Sequence, residues 1–201
     1  MFIGKWNKSV FLTYLGLVIA VVGMFYALAK NNVEYAFCCL IVAGICDLFD
    51  GVVARKCKRT EEEKEFGVEL DSLVDVISFI ALPISIFLAM GLTNLWNLIV
   101  LVIFAISGIA RLAYFNIATA VMEGTISHFT GLPVAYSALV FPLAYFLKPL
   151  LPNDVFLLVF SCFIFFESFF QILKISIPKP KGIWYGMFVL IAIVMIVFYL
   201  L

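Results

Sequence analysis

Uninterrupted apolar runs near the length of a bilayer crossing recur along this 201-residue chain and leave it few ways to fold. Seven candidate helices follow from them, at about 10–29, 33–54, 67–90, 95–118, 131–148, 154–174 and 183–201. The breaks have local causes: Lys30-Asn31-Asn32, the turn Gly91-Leu92-Thr93-Asn94, Pro149 with Pro152, and Pro178, Pro180 and Gly182. Pro133 falls in the first turn of the fifth segment, where its missing N–H costs little, and Pro142 should kink it. Hydrophobic residues make up 65% of the chain and charged residues 13%, more apolar surface than a soluble domain of this size can bury. The expected fold is therefore all-α: a polytopic transmembrane bundle of six core helices plus one extra C-terminal helix, a single membrane-embedded domain over 1–201.

The basic residues predict the orientation. With the N-terminus inside, Lys5, Lys8, Arg55, Lys56, Lys58, Arg59, Lys64, Lys174, Lys179 and Lys181 lie on the inner side, joined by Arg111 in the inner half of the fourth helix. Only Lys30 and Lys148 lie outside, so the N-terminus is expected in the cytoplasm and the C-terminus outside. Met1–Val10 leads straight into a full-length span, and no cleavable signal is expected. Zero net charge gives no electrostatic footprint for nucleic acid. Cys38, Cys39, Cys46, Cys57 and Cys162 form no Cys-x-x-Cys pair and read as small hydrophobes in a reducing setting. The polar stretch Lys56 to Glu65 reads as a solvated loop or helical extension, its basic half able to steer phosphate.

Four aspartates break the apolar pattern. They stand in D-L-F-D-G-V-V-A-R from 47 to 55 and G-V-E-L-D-S-L-V-D from 67 to 75. Asp47 and Asp50 are three apart, Asp71 and Asp75 four apart, so each pair shares one helix face. Antiparallel neighbours would bring both pairs to the same cytoplasmic level. Converging carboxylates in a low-dielectric setting repel unless protons or cations compensate them. Hard oxygen donors point to Mg²⁺ or Mn²⁺, with Ca²⁺ also open, rather than zinc. Four carboxylates suffice for two ions about 4 Å apart, an arrangement that clamps a pyrophosphate during in-line displacement. Gly51, Ala54 and Gly67 between the pairs let a backbone or a flat ligand approach closely.

The pattern D-x-x-D-G-x-x-A-R … G-x-x-x-D-x-x-x-D resembles the signature of the CDP-alcohol phosphatidyltransferases, integral membrane enzymes that build phospholipid head groups. The resemblance covers Asp47, Asp50, Gly51, Ala54, Arg55, Gly67, Asp71 and Asp75. It implies that the first three aspartates hold both metals, that Asp75 completes the site and acts as base, and that Asp50, Gly51, Ala54, Arg55, Gly67, Asp71 and Thr13 bind the CDP-lipid. Two departures stand out. The gap between Arg55 and Gly67 is longer than the family's, an insertion expected to lengthen a polar loop. The family's Pro-Asn-x-x-Thr lead into the first helix is reduced here to the threonine of Ser9-Val10-Phe11-Leu12-Thr13.

Three further stretches look like the membrane-integral phosphatidylserine synthases within that family: Glu69 to Pro83, Ala110 to Asn116 and Phe129 to Pro133. The likeness implies transfer of a phosphatidyl-type group to L-serine with release of CMP, and a homodimer. Acyl-ester and isoprenoid-ether lipids stay equally open. On the residues themselves, Arg111 suits a substrate carboxylate, and Asn116 and Thr130-Gly131 offer polar contacts, the latter pair at an expected helix start. Snorkelling of Arg111 and capping by Asn116 and Thr130 are the plainer readings. His128 reads as an interfacial residue, and Glu167 as a partner of Lys174 or a dimer contact. Glycerol phosphate or inositol phosphate as acceptor is the alternative within the class, and a cation carrier the alternative outside it.

Overall fold

A computed structural model describes residues 4–121, 128–178 and 182–201; Lys179, Pro180 and Lys181, and Met1 to Ile3 of the expected signal-free N-terminus, lie outside the described residues. Among the described residues eight α-helices follow in order: α1 Phe11–Ala29, α2 Val33–Lys56, α3 Glu61–Val76, α4 Leu82–Ala89, α5 Leu95–Val121, α6 Ser137–Tyr145, α7 Asn153–Ile172 and α8 Ile183–Leu200. A π-helical turn, Ile77–Ala81, joins α3 to α4 without a break, so the two make one span from Glu61 to Ala89. Among the described residues, six helical segments are long and apolar enough to cross a membrane, and the apolar stretch Val134–Leu150 around α6 is shorter. The chain is a polytopic helical bundle.

Two boundaries differ from the sequence-based expectation. The third span begins at Glu61, not at 67, because Thr60 and Glu63 form a reciprocal capping box: the hydroxyl accepts from the Glu63 N–H and the carboxylate from the Thr60 N–H at 2.8 Å. Glu61, Glu62 and Glu63 also complement the positive end of the helix. The extra residues between Arg55 and Gly67 are thus wound mostly into helix, and only 57–60 remain as connection. The fifth segment does not start as helix at 131. Pro133 is extended, a 3₁₀ turn spans Val134–Tyr136, and α6 follows, with Pro142 inside it.

α1 packs along α2 through a stripe of small residues: Thr13, Gly16, Ala20, Gly23 and Ala27 are its buried positions. The spacing of three and four puts them on one face, the close-approach pattern of membrane helices. A Cβ on Gly23 would lie 2.8 Å from the Cys39 Cβ and 2.9 Å from Leu82, so nothing larger fits. The core beyond the aspartates, starting with Phe79 one turn past Asp75, is aromatic. Phe37, Phe79, Phe87, Phe104, Phe141, Phe156 and Phe160 are fully buried, with Phe87 and Phe141 4.7 Å apart edge to face. That rigid plug fixes α2, α4, α5, α6 and α7 together and leaves their other ends free to shape a cavity.

A feature outside the all-helical expectation is a three-residue antiparallel ladder, β1 His128–Thr130 with β2 Ser176–Pro178. It ties the connection after α5 to the connection after α7. The ladder therefore braces the end of the bundle where the aspartates stand.

Candidate active site

The carboxylates converge as the helix periodicity requires. Asp47 on α2 and Asp71 and Asp75 on α3 each offer an oxygen within 4.8 Å of the others. Asp50 lines the same two clefts as Asp71 and accepts from the Thr13 hydroxyl at 3.2 Å. All four donors are hard oxygens, and no histidine or cysteine joins the trio among the described residues. This donor set fits Mg²⁺ or Mn²⁺. The π turn begins two residues after Asp75; such turns advance the register by a residue, letting α3 aim Asp71 and Asp75 at the cavity while α4 keeps its apolar face in the core.

Among the described residues, two large polar recesses open on the carboxylates. The first, about 540 Å³, is lined by Thr13, Asp50, Gly51, Ala54, Arg55, Gly67 and Asp71, together with Ser9 and Arg59. Every residue assigned from sequence to CDP-lipid binding lies on this one recess. Arg59, assigned there only as part of a basic loop, adds a second guanidinium. The second, about 1310 Å³, is lined by all four aspartates, Arg55, Ser72, Arg111, Asn116, the Pro133–Ala135 stretch and Tyr185. Arg111 is 7% exposed, lies over the Phe115 ring at 5.1 Å and lines the cavity with Asp75 and Asp47. Asn116 and Ser72 hydrogen-bond across α5 and α3 at 2.8 and 3.0 Å.

Thr130 and Gly131 are not brought to the cavity with Arg111 and Asn116. Thr130 is exposed on β1, and the Gly131 N–H donates to the Ile175 carbonyl at 2.9 Å. Gly131 does not stand at a helix start: its φ of +74° makes a turn, and the wall that follows is Pro133, Val134 and Ala135. Glu167 does not pair with Lys174; it is buried and accepts from the Ser137 hydroxyl at 2.6 Å. His128 lies on β1, with no more of it described. Sequence reasoning missed Ser72, one residue after a motif aspartate, and Tyr185, in the first turn of the last helix. The first carried a usable signal, being on the motif helix; the second depends on how α8 returns to α2.

A third cleft, about 590 Å³, runs from Asp47 into the apolar interior between α2, α6 and α8. Its walls are hydrocarbon, including Ile41, Ile45, Leu139, Ala192 and Met195. A charged centre thus adjoins a polar recess on one side and an apolar cleft on another. That combination can hold an amphiphile with its polar part at the carboxylates.

The comparisons point the same way. The chain is 38% identical over 112 residues to a CDP-diacylglycerol–serine O-phosphatidyltransferase of Saccharomyces cerevisiae, covering 52% of this chain and 40% of that protein. It is 39% identical over 100 residues to an archaetidylserine synthase of Methanothermobacter thermautotrophicus, covering 49% of this chain and 41% of the relative. A CDP-diacylglycerol–serine O-phosphatidyltransferase of Bacillus subtilis is 25% identical over 158 residues, covering 78% of this chain and 81% of that protein. The chain thus spans about two fifths of the first two relatives and most of the third. The family model of the CDP-alcohol phosphatidyltransferases matches residues 6–173, which takes in both aspartate pairs and, Tyr185 apart, the walls of both polar recesses. This chain is an integral membrane member of the CDP-alcohol phosphatidyltransferase family.

Proposed function

We propose that this protein transfers a phosphatidyl-type group from a CDP-lipid to the hydroxyl of L-serine and releases CMP. The observation that carries this reading is the shared cavity: four carboxylates, Arg111 and Asn116 face one space that joins the recess of Arg55 and Arg59. The relatives named for serine transfer support the choice of acceptor. Divalent ions held by Asp47, Asp50, Asp71 and Asp75 would screen the pyrophosphate charge.

In this scheme Thr13, Gly51, Ala54 and Gly67 form the close-fitting wall of the nucleotide recess, and Arg55 and Arg59 supply its cations. The cleft at Asp47 takes a lipid chain, whether acyl ester or isoprenoid ether. Arg111 holds the serine carboxylate, and Asn116, fixed by Ser72, orients it. Asp75 takes the hydroxyl proton as the serine oxygen bonds to the lipid-bearing phosphorus. The P–O bond to CMP breaks, and CMP leaves with the electron pair.

Positive residues around the aspartate end, including Lys5, Lys8, Arg55 and Lys58, favour a site facing the cytoplasm, with the N-terminus inside. The whole chain acts as one membrane-embedded unit, with the motif at 47–75 and the acceptor region at 110–133. Phe165, Phe166 and Phe169 point outward from α7 and suit a homodimer contact. Glycerol phosphate or inositol phosphate fits less well as acceptor, because among the described residues a dianion beside Asn116 meets Arg111 alone, Arg55 lying toward the smaller recess. Family membership removes the cation-carrier reading.

Purified protein with a CDP-lipid, Mn²⁺ and each acceptor in parallel tests the assignment. Expected is CMP release that requires serine and drops about 10²- to 10⁴-fold in Asp75→Asn. Release with a phosphorylated acceptor and none with serine would overturn it.

A further inference from the structure

The scheme above leaves a buried carboxylate without a task. Glu167 lies inside α7, 3% exposed, in a segment that crosses the membrane. One carboxylate oxygen accepts from Ser137, itself fully buried. The other has no hydrogen-bond partner among the described residues. Gln171, one turn on and 1% exposed, bears on the carboxylate electrostatically, but neither atom of its amide makes a well-formed hydrogen bond. Such groups are expensive in a membrane interior, and stability alone would favour an apolar pair of the same volume.

Their placement explains the expense. Pro133, Val134 and Ala135 form the wall of the large cavity that faces Arg111. Upstream, this stretch is tied to the end of α7 by Gly131 N–H donating to Ile175 and Leu132 N–H donating to Phe170, both at 2.9 Å. Downstream, it is tied to α7 by Ser137 and Glu167. α5, which carries Arg111 into the cavity one turn later, touches the same strut: a Cβ on Gly108 would lie 3.5 Å from the Gln171 side-chain oxygen. α7 therefore meets both the Pro133–Ala135 stretch and α5, and among the described residues the polar tie of that stretch on its downstream side is the Ser137–Glu167 bond, one turn before Phe141 packs on Phe160.

We infer that Glu167, through Ser137, is a positioning residue that sets the width of the acceptor end of the cavity, between Pro133–Ala135 and Arg111. It touches neither the carboxylate cluster nor the nucleotide recess. This inference rests on the proposed transfer reaction and adds to it the residue that tunes acceptor fit.

The test compares wild type, Glu167→Gln, and the apolar double variant Glu167→Leu with Ser137→Ala. Each is measured for serine KM, CDP-lipid KM, kcat and apparent thermal midpoint in detergent. The double variant removes both partners of the bond, so its midpoint should hold or rise. Its serine KM should rise about 10- to 100-fold, the usual cost of misplacing a substrate by about 1 Å. Its CDP-lipid KM should stay within about twofold of wild type, since the nucleotide recess is untouched. Glu167→Gln keeps an acceptor for Ser137 and should restore most of the serine affinity. A double variant with wild-type serine KM overturns the inference, as does one in which both KM values rise together with a fallen midpoint. Wild-type protein that transfers to an acceptor other than serine refutes the acceptor assignment instead, and the same comparison on that acceptor's KM then decides the role of Glu167.

Discussion

Substituting Gly131 by alanine separates a structural role for this turn from a substrate contact, and the structure sets its size. Three costs add. The backbone stands at φ +74°, where an L side chain costs roughly 1 kcal/mol. The new Cβ would lie 2.4 Å from the Gln171 carbonyl oxygen, 3.3 Å from its carbon and 3.4 Å from the Leu173 oxygen. Ordinary contact starts about 1 Å further out, so β1 and the end of α7 must part. Parting them weakens the Gly131 N–H bond to Ile175, about 1 kcal/mol. With the residual overlap, the loss comes to about 3 kcal/mol, or a fall of roughly 6–12 °C in apparent midpoint for a chain of this length. The wall at Pro133 begins two residues later, so serine KM should rise about tenfold or more with it. Thr130→Val is the comparison: its side chain is exposed and away from the cavity, so both midpoint and serine KM should hold. The assays are a detergent melting curve and steady-state kinetics with serine varied. A Gly131→Ala protein of unchanged midpoint, or a Thr130→Val protein with weakened serine binding alone, would refute the reasoning and return both residues to the substrate.

Two other outcomes follow from the geometry. Chelation should abolish CMP release, with Mg²⁺ or Mn²⁺ restoring it and Zn²⁺ failing to, because the site offers only hard oxygens; recovery with Zn²⁺ in a metal-titrated activity assay would point to a different donor set. Arg59→Ala should raise the KM for CDP-lipid about tenfold or more while serine KM moves little, since Arg59 lines the smaller recess and not the large cavity, where Arg111 remains; equal shifts in both KM values would contradict that division.

Much of the fold is local and so was legible. Span lengths follow from run lengths, and three- and four-residue spacings place Asp47 with Asp50 and Asp71 with Asp75 on their helix faces without reference to any other part of the chain. The start of α3 was also local, since Thr60 and Glu63 form a capping box readable from sequence, but the polarity of 56–65 suggests loop more strongly than it suggests helix. What was not legible is tertiary. Nothing in Phe129-Thr130-Gly131 says that it pairs with a segment some 45 residues away, and once it does, its N–H is committed to Ile175. Tyr185 could not be placed on the cavity without knowing that α8 returns beside α2.

The membrane itself accounts for this division. In an apolar medium each carboxylate or guanidinium is costly, so its presence carries information, and the aspartates, Arg111 and Glu167 all stand out in the sequence for that reason. Hydrocarbon walls carry no such signal: Pro133, Val134 and Ala135 look like any other apolar residues, although they line the large cavity together with Arg111 and the aspartates. Glu167 shows how the two are joined. Its charge was visible and its purpose was not, because the purpose lies in the apolar wall it holds through Ser137 rather than in any ligand it could bind. An isolated acidic residue inside a span of such an enzyme therefore has two distinct explanations, a cation site or a strut. They differ in observable geometry: ligands converge with other oxygens, as Asp47, Asp71 and Asp75 do, whereas a strut meets a hydroxyl on the back of a cavity wall.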